Sequence, residues 1–295
     1  MAAIPSQARH ELSALTRTSG AFAMIAVDQR EAMRAMFAEH QAGPVPDETL
    51  QGFKLTATRI LSPFASGILV DKQFALDRVI DERAVAPPCG LIASADRFIA
   101  GHGELVTDVE LDDTVDPHHY RDRGVVAMKL LVIYRPDGDP GQRAELVESF
   151  VNRCRRAGLV SIIEPVSRAP RDGSTWDWDD GILAAARELG SLGADLYKAE
   201  VPRHGQGEPD DIRRRCEAIT EAVASPWVVL SSGVPHEVFP TAVELACRSG
   251  ASGFLAGRAV WASVIGSDDF ERDLRDVSVP RLQRLCDVVD AAVGA

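Results

Sequence analysis

Lysine is rare in this chain, and each of its four lysines stands out as a possible amine nucleophile. Of the 32 basic residues only Lys54, Lys72, Lys129 and Lys198 are lysine, and the others are arginine. A guanidinium supplies positive charge equally well, but only a primary amine forms an imine with a ketone. The composition therefore favours covalent amine chemistry at one or more of these positions, with chance retention as the alternative.

Two of the lysines interrupt apolar segments that have the composition of buried strands. Lys198 lies in DLYKAEV and Lys129 in VVAMKLLVI. A lysine that loses hydration in an apolar strand has a lowered pKa, which makes its amine more nucleophilic. Lys129 is either the imine-forming residue, a second cation that lowers the pKa of Lys198, or an ion-pair partner. For Lys198 the alternative is a structural ion pair with Glu164 or Glu200.

Carboxylates near these lysines supply the proton transfer that imine chemistry needs. Glu164 in SIIEPV lies on the segment between the two lysine-bearing ones. A partly desolvated carboxyl there can move protons at neutral pH. Asp28, at the end of AFAMIAVD, is expected to orient a substrate hydroxyl or hold a lysine, and a helix N-cap is its structural alternative.

Two loops of small residues late in the chain have the composition of an anion site. They are LSSGV (230–234), with Ser231, Ser232 and Gly233, and LAGRAVW (255–261), with Gly257 and Arg258. Small residues let an anion approach backbone N–H groups at a helix start, and an arginine adds a charge-assisted contact. Ordinary turn chemistry is the alternative for each loop taken alone.

Eight short apolar segments alternate with amphipathic ones, which predicts a single-domain (β/α)₈ barrel over residues 1–295. The predicted strands are 21–28, 66–71, 89–95, 125–133, 159–166, 194–201, 226–232 and 252–257. Apolar residues recur at helical spacing in 140–157, 177–192, 209–224 and 235–250. A short N-terminal helix precedes the barrel, and an insert at 101–122 is expected to form a hairpin or loop and a short helix. No GxGxxG motif follows the first strand, which disfavours a dinucleotide-binding sheet.

A barrel of this kind brings these residues to one end of the molecule. The carboxyl ends of its strands, and the loops that follow them, surround a single mouth where chemistry takes place. Arg30 follows the first predicted strand and Lys72 the second. Both are therefore candidates for contact with a charged end of the substrate.

Net charge and composition restrict the possible partners. A formal net charge of -12 disfavours nucleic acid and anionic membrane surfaces, and no segment approaches the roughly 20 apolar residues of a membrane span. Five cysteines without a CxxC pair, and no signal-peptide pattern, favour the reducing cytoplasm. The seven histidines form no metal-ligand pattern, so no metal is expected.

Longer motifs are more specific than any of these short patterns. They are GAFAMIAVDQREAMRAMF (20–37), LSPFASGILVDKQF (61–74), GLVSIIEPV (158–166), GADLYKAE (193–200), LSSGV (230–234) and ASGFLAGRAVWASV (251–264). Over nearly its whole length the chain resembles the sulfofructosephosphate aldolases and, more distantly, the tagatose 1,6-bisphosphate aldolases. The insert at 101–122 matches these families least well.

The resemblance implies a cofactor-free class I aldolase that assembles as a homo-oligomer. It implies that Lys198 forms the Schiff base, that Glu164 is the acid/base residue and that Lys129 is a supporting lysine. The residues that it places beside the substrate or its anionic groups are Asp28, Gln29 and Arg258.

The implied reaction is cleavage of 6-deoxy-6-sulfofructose 1-phosphate to dihydroxyacetone phosphate and 3-sulfolactaldehyde, a step of sulfoquinovose degradation (sulfoglycolysis). One alternative is the same chemistry on tagatose or fructose 1,6-bisphosphate. An alternative of a different class is a non-catalytic regulator that binds a sugar phosphate. The presence of both lysines and the glutamate disfavours that regulator.

Overall fold

Eight parallel strands form the wall of a closed barrel in the computed structural model, which describes residues 12–293. The ten strands in that range are β1 (Phe22–Ala26), β2 (Gly67–Val70), β3 (Gly90–Ser94), β4 (Asp96–Gly101), β5 (Glu104–Leu111), β6 (Val125–Tyr134), β7 (Val160–Ser167), β8 (Leu196–Glu200), β9 (Trp227–Leu230) and β10 (Gly253–Ala256). Around the barrel the order is β1, β2, β3, β6, β7, β8, β9 and β10, and β10 pairs with β1. The predicted (β/α)₈ barrel is confirmed, and the ends of its strands differ from those predicted by at most two residues.

Helices cover the outside of the barrel. The α-helices described within residues 12–293 are α1 (Glu31–Ala38), α2 (Asp47–Leu61), α3 (Leu76–Asp81), α4 (Pro117–Asp122), α5 (Pro140–Ala157), α6 (Trp178–Leu189), α7 (Pro209–Ala222), α8 (Phe239–Arg248), α9 (Arg258–Trp261), α10 (Phe270–Asp273) and α11 (Val279–Val293). None of the described helices has the length and hydropathy of a membrane span. The predicted N-terminal helix falls mostly on residues 1–11, which lie outside the described range.

Local sequence signals define the ends of α5 clearly. The Asp139 carboxylate accepts a hydrogen bond from the Gly141 N–H at 2.8 Å, and Pro140 occupies the first turn, where a missing N–H costs nothing. Gly158 ends the helix in the left-handed region, with φ of 67°. This helix therefore begins and ends at the residues predicted for it.

Side-chain alternation along the strands places the polar residues of the barrel. A compact apolar cluster includes Ala26, Ala127, Ile162 and Leu196. Because side chains two positions apart on a strand point the same way, the next residue on that face continues toward the carboxyl end. Those next residues are Asp28, Lys129, Glu164 and Lys198. The apolar interior thus ends in a layer of charge at the mouth of the barrel.

The insert after β3 begins earlier than predicted. Strands β4 and β5 form an antiparallel hairpin that starts at Asp96, and α4 follows it. The insert was predicted at 101–122, where the sequence departs from the alternation of strands and helices, and Asp96–Gly101 has no clear alternation of apolar and polar residues that would mark a strand. The earlier start matters because it brings Asp96 directly to the end of a barrel strand.

A buried ion pair joins α2 to the end of β2. The side chains of Lys54 and Asp71 are both fully buried and in direct contact. Asp71 also accepts a hydrogen bond from the Phe74 N–H at 2.9 Å. Burial lowers the pKa of the Lys54 ammonium and raises that of the Asp71 carboxyl, each against the attraction of its partner. Lys54 is therefore a structural lysine.

We predict that Lys54→Met lowers the free energy of unfolding by about 3–5 kcal/mol, because it leaves a buried carboxyl without its cation. Urea denaturation followed by circular dichroism measures the change. The double variant K54M/D71N should recover roughly half of the loss. Arg59→Met, on the exposed side of the same helix, is the matched control and should cost about 0–1 kcal/mol. A K54M protein as stable as R59M would contradict this role.

Candidate active site

A cavity of about 440 Å³ opens at the carboxyl ends of the barrel strands. Its wall combines apolar strand residues with side chains from the hairpin and from the loops after β7, β9 and β10. The charged and polar residues that line it are Asp28, Gln29, Glu104, Lys129, Glu164, Arg168, Lys198, Ser231, Ser232 and Arg258. The structure thus brings most of the predicted site residues to one cavity.

Lys198 and Glu164 meet on adjacent strands at the base of the cavity. The Lys198 Nζ lies 2.9 Å from Glu164 Oε1, and Lys198 is only 3% exposed. The other oxygen of Glu164 lies 3.1 Å from the Lys129 Nζ. Among the described ion pairs, Lys198 thus has one carboxylate, which it shares with Lys129.

Lys129 occupies a very different electrostatic environment. Its Nζ lies 2.7 Å from Asp28, 2.9 Å from Asp96 and 3.1 Å from Glu164, and the side chain is 1% exposed. Burial alone would lower the pKa of Lys129, but the three carboxylates outweigh it and raise the pKa well above its ordinary value. Lys129 is therefore a permanent cation at neutral pH.

The two aspartates of this cluster are permanent anions. Burial opposes ionisation of Asp28, yet Lys129 and Lys198 together lower the pKa of its carboxyl well below the ordinary value. Burial likewise opposes ionisation of Asp96, and there Lys129 and Arg30 lower the pKa. A fixed ammonium between ionised carboxylates can orient polar substrate groups without exchanging protons.

Asp96 anchors this cluster, although the sequence did not single it out as a site residue. Its Oδ2 accepts hydrogen bonds from Lys129 Nζ and from the Leu131 N–H, both at 2.9 Å. Its Oδ1 accepts from Arg30 Nη2 at 2.6 Å and from Ser94 Oγ at 2.7 Å. Asp96 follows the end of β3, where charged residues were expected, but its role depends on the hairpin that it begins.

Arg258 and the loop after β9 form the predicted polar edge of the cavity. The Arg258 Nη2 donates a hydrogen bond to Ser232 Oγ at 2.8 Å. Gly257 permits this arrangement, because a Cβ at that position would lie 2.2 Å from the Ala26 carbonyl oxygen. Ser231 is buried and lines the same wall. An arginine beside two hydroxyl groups can bind an anion such as a phosphate.

Three predicted contact residues lie elsewhere. Arg30 is buried against Asp96 and stacks over the Phe98 ring at 4.0 Å, so it supports the cluster from behind. Lys72 lies 3.6 Å from Asp77 and does not line the cavity. Gly233 also lies outside the cavity wall. Arg30 and Lys72 were predicted from chain position alone, whereas the direction of a long side chain depends on tertiary contacts.

Gln29 and Arg168 complete the cavity wall. The Gln29 Oε1 is buried and has no hydrogen-bond partner among residues 12–293, so it can accept a hydrogen bond from a substrate hydroxyl. Arg168 was missed by the sequence analysis. Its only signal was its position four residues after Glu164, in the loop following the same strand.

The hairpin forms one side of the cavity through Glu104, Leu105 and Val106. The Glu104 carboxylate pairs with Arg135, and Arg171 donates to the Thr107 carbonyl oxygen at 2.9 Å. Leu105 is 52% exposed.

Within the described residues, no three His, Cys, Asp or Glu side chains are grouped so that they could hold a metal ion.

At the mouth of this (β/α)₈ barrel, a buried lysine lies beside a glutamate and next to a second lysine that is held as a cation. This is the layout of a class I, Schiff-base-forming aldolase. Comparisons with known proteins agree with this class. The family description "DeoC/LacD family aldolase" matches residues 22–263. The chain belongs to the DeoC/LacD family of aldolases, and it is therefore a lyase.

Individual relatives are more distant. A tagatose 1,6-diphosphate aldolase of Listeria monocytogenes is 26% identical over 282 residues, which cover 86% of this chain and 81% of that protein. Tagatose 1,6-diphosphate aldolase 2 of Streptococcus pyogenes is 27% identical over 277 residues, covering 83% and 82%. A solved archaeal fructose-1,6-bisphosphate aldolase shares the fold with a TM-score of 0.66 at 17% identity, covering 96% of this chain and 99% of its own.

We predict that Asp96→Asn lowers the pKa of Lys129, because it removes one of the three carboxylates that hold the ammonium. With only four lysines, ¹³Cε-lysine labelling gives four NMR signals that can each be titrated. An ordinary lysine has a pKa of about 10.4 and is half deprotonated at that pH. In the unaltered protein the Lys129 signal should still be that of an ammonium at the same pH.

In D96N the Lys129 midpoint should fall by about 1–3 pH units. Lys129→Arg, which deletes one signal, assigns it. Glu110→Gln is the matched control, because Glu110 is an exposed hairpin carboxylate paired with Arg97. If D96N and E110Q shift the Lys129 signal equally, the anchoring role of Asp96 is wrong.

Proposed function

We propose that Lys198 is the Schiff-base lysine of this aldolase and that its substrate is 6-deoxy-6-sulfofructose 1-phosphate. The difference between the two buried lysines carries the assignment of Lys198. Three carboxylates hold Lys129 as an ammonium, which has no lone pair for attack. Lys198 has one carboxylate beside it, and that carboxylate can accept its proton.

The proposed reaction begins when the Lys198 amine attacks the C2 ketone of the open-chain substrate. Loss of water gives an iminium ion, which accepts the electron pair released when the C3–C4 bond breaks. Glu164, directly or through a water molecule, takes the proton of the C4 hydroxyl as the aldehyde 3-sulfolactaldehyde leaves. Protonation of the remaining enamine at C3, followed by hydrolysis, releases dihydroxyacetone phosphate and regenerates the amine.

The permanent charges around Lys198 have distinct proposed roles. Lys129 stabilises negative charge on substrate oxygens, and Asp28 holds Lys129 in place at 2.7 Å. Gln29 accepts a hydrogen bond from a substrate hydroxyl. Arg258 and the serines after β9 bind an anionic end of the substrate, with Ser231 and Ser232 supplying hydroxyl groups.

The sulfonated substrate is supported by the resemblance of six motifs spread along the chain. The relatives named as tagatose 1,6-diphosphate aldolases are 26–27% identical. The main alternative is therefore class I cleavage of tagatose or fructose 1,6-bisphosphate, which uses the same catalytic residues. A non-catalytic regulator is disfavoured, because the lysines and carboxylates are assembled around an open cavity.

We also propose that the protein acts in the cytoplasm as a homo-oligomer. All five cysteines are free and buried, which suits a reducing compartment. The oligomer is proposed from the family resemblance alone, and sedimentation equilibrium measures it directly.

We predict that sodium borohydride with dihydroxyacetone phosphate reduces an imine on Lys198. Peptide mass mapping should place the added mass on the peptide that contains this residue. Lys198→Arg keeps the charge but cannot form an imine, so it should abolish both trapping and cleavage. Glu164→Gln should reduce kcat by about 10²–10⁴-fold. A label on Lys129, or no label, would overturn the assignment.

We predict a higher kcat/KM for 6-deoxy-6-sulfofructose 1-phosphate than for tagatose or fructose 1,6-bisphosphate. A sulfonate is a monoanion and a phosphate is mostly a dianion at pH 7, so a site built for one binds the other less well. Coupled assay of dihydroxyacetone phosphate measures all three substrates. Equal values, or a preference for a bisphosphate, would reject the sulfosugar assignment and leave the aldolase mechanism standing.

A further inference from the structure

Four cationic side chains line the cavity within the described range, and two of them, Arg168 and Arg258, make no hydrogen bond to a carboxylate. Lys129 and Lys198 contact the carboxylates around them. Arg258 donates to the neutral Ser232 hydroxyl. Arg168 is the fourth. A substrate with an anionic group at each end needs two such positions.

Arg168 has weak internal partners. Its Nη1 donates to the Ser167 carbonyl oxygen at 2.8 Å and lies 3.9 Å from the Glu200 carboxylate. Glu200 is itself buried, and its Oε2 accepts a hydrogen bond from the Ser167 N–H at 2.7 Å. Burial raises the pKa of Glu200 to about 7. The Arg168 side chain is 37% exposed and lines the cavity, so its guanidinium can also contact a bound anion.

We propose that Arg168 binds the anionic group at C6 of the substrate, and that Arg258 with Ser232 binds the phosphate at C1. This inference rests on the proposed function, and it replaces Arg30 and Lys72 as candidates for the second anion. The ligand class is a ketose 1-phosphate that carries a second anionic group on its last carbon.

Strand order gives the direction of the substrate. Lys198 on β8 holds C2, and β8 lies between β7 and β9. Glu164 on β7 must reach the C4 hydroxyl, so carbons beyond C4 extend toward β7 and the loop after it, where Arg168 lies. C1 then points the other way, toward β9 and β10, where Ser232 and Arg258 lie.

Glu104 limits the charge that this position accepts. The hairpin places Glu104 on the cavity wall, where its pKa is lowered chiefly by the hydrogen bond from Arg135 and in smaller part by the Arg168 charge. Glu104 pairs with Arg135, but its carboxylate lines the same cavity as Arg168 and repels a dianion more strongly than a monoanion. A sulfonate, or a singly protonated phosphate, therefore suits the Arg168 position best.

The test compares two substrates in the Arg168→Gln variant. For 6-deoxy-6-sulfofructose 1-phosphate, kcat/KM should fall about 10- to 100-fold, because a charge-assisted hydrogen bond is lost. For fructose 1-phosphate, which has no anion at C6, it should change by less than about threefold. Arg168→Lys should recover part of the loss. Should the sulfosugar not be cleaved, tagatose 1,6-bisphosphate takes its place in the same comparison.

Controls separate this role from structural ones. Arg97→Gln, which alters an exposed hairpin arginine paired with Glu110, should leave both substrates unaffected. If Arg168 served only to balance Glu200, the double variant R168Q/E200Q would recover activity, and that recovery would refute the proposal. Thermal unfolding checks that each variant folds.

Two outcomes distinguish this inference from the proposed function. Equal losses of R168Q on both substrates, or a loss confined to fructose 1-phosphate, reject Arg168 as the C6 ligand. Borohydride trapping with dihydroxyacetone phosphate needs no C6 anion and should be intact in R168Q. Failure of trapping in the unaltered protein would instead reject the Schiff-base assignment of Lys198.

Discussion

The burial of Lys129 among three carboxylates is the interaction on which the rest of the site depends. A buried ammonium is costly unless it is paired and hydrogen-bonded, and here Asp28, Asp96 and Glu164 come from three separate segments to meet it. Each of those segments must therefore keep its register, because a shift of one residue would turn its carboxylate to the other face of the sheet. The buried charges thus restrict the register of the barrel strands, and the barrel strands in turn position the charges.

The same cluster joins the hairpin to the barrel. Asp96 is the first residue of the hairpin and also the partner of Lys129, Arg30 and the Leu131 N–H. Arg30 in turn stacks on Phe98 of the hairpin. The hairpin, which forms one wall of the cavity, is therefore attached to the barrel through the same residues that set the charge of the site. A displaced hairpin would expose a buried carboxylate, so the wall and the charge cluster form one unit.

The four lysines, alike in the sequence, have four different environments. Lys54 is a structural partner of buried Asp71, and Lys72 lies at the surface near Asp77. Lys129 is a fixed cation. Lys198 lines the cavity and has a single carboxylate, shared with Lys129, beside it, which is why we propose imine chemistry for it. The scarcity of lysine correctly drew attention to amine chemistry, yet it could not separate structural from reactive amines, because that difference lies in the neighbours.

The eight strands, several helix ends and the polar residues at the strand ends could all be predicted from local sequence. These features depend on the two-residue period of a strand and on helix capping, and both are determined by residues that are close together in the chain. Local sequence did not determine which of those polar side chains face the cavity. Arg30 turns back to Asp96, Lys72 stays at the surface, and Arg168, unremarkable in the sequence, lines the wall. These directions could not be predicted, because the direction of a long side chain depends on charges and packing from segments that are distant in the chain.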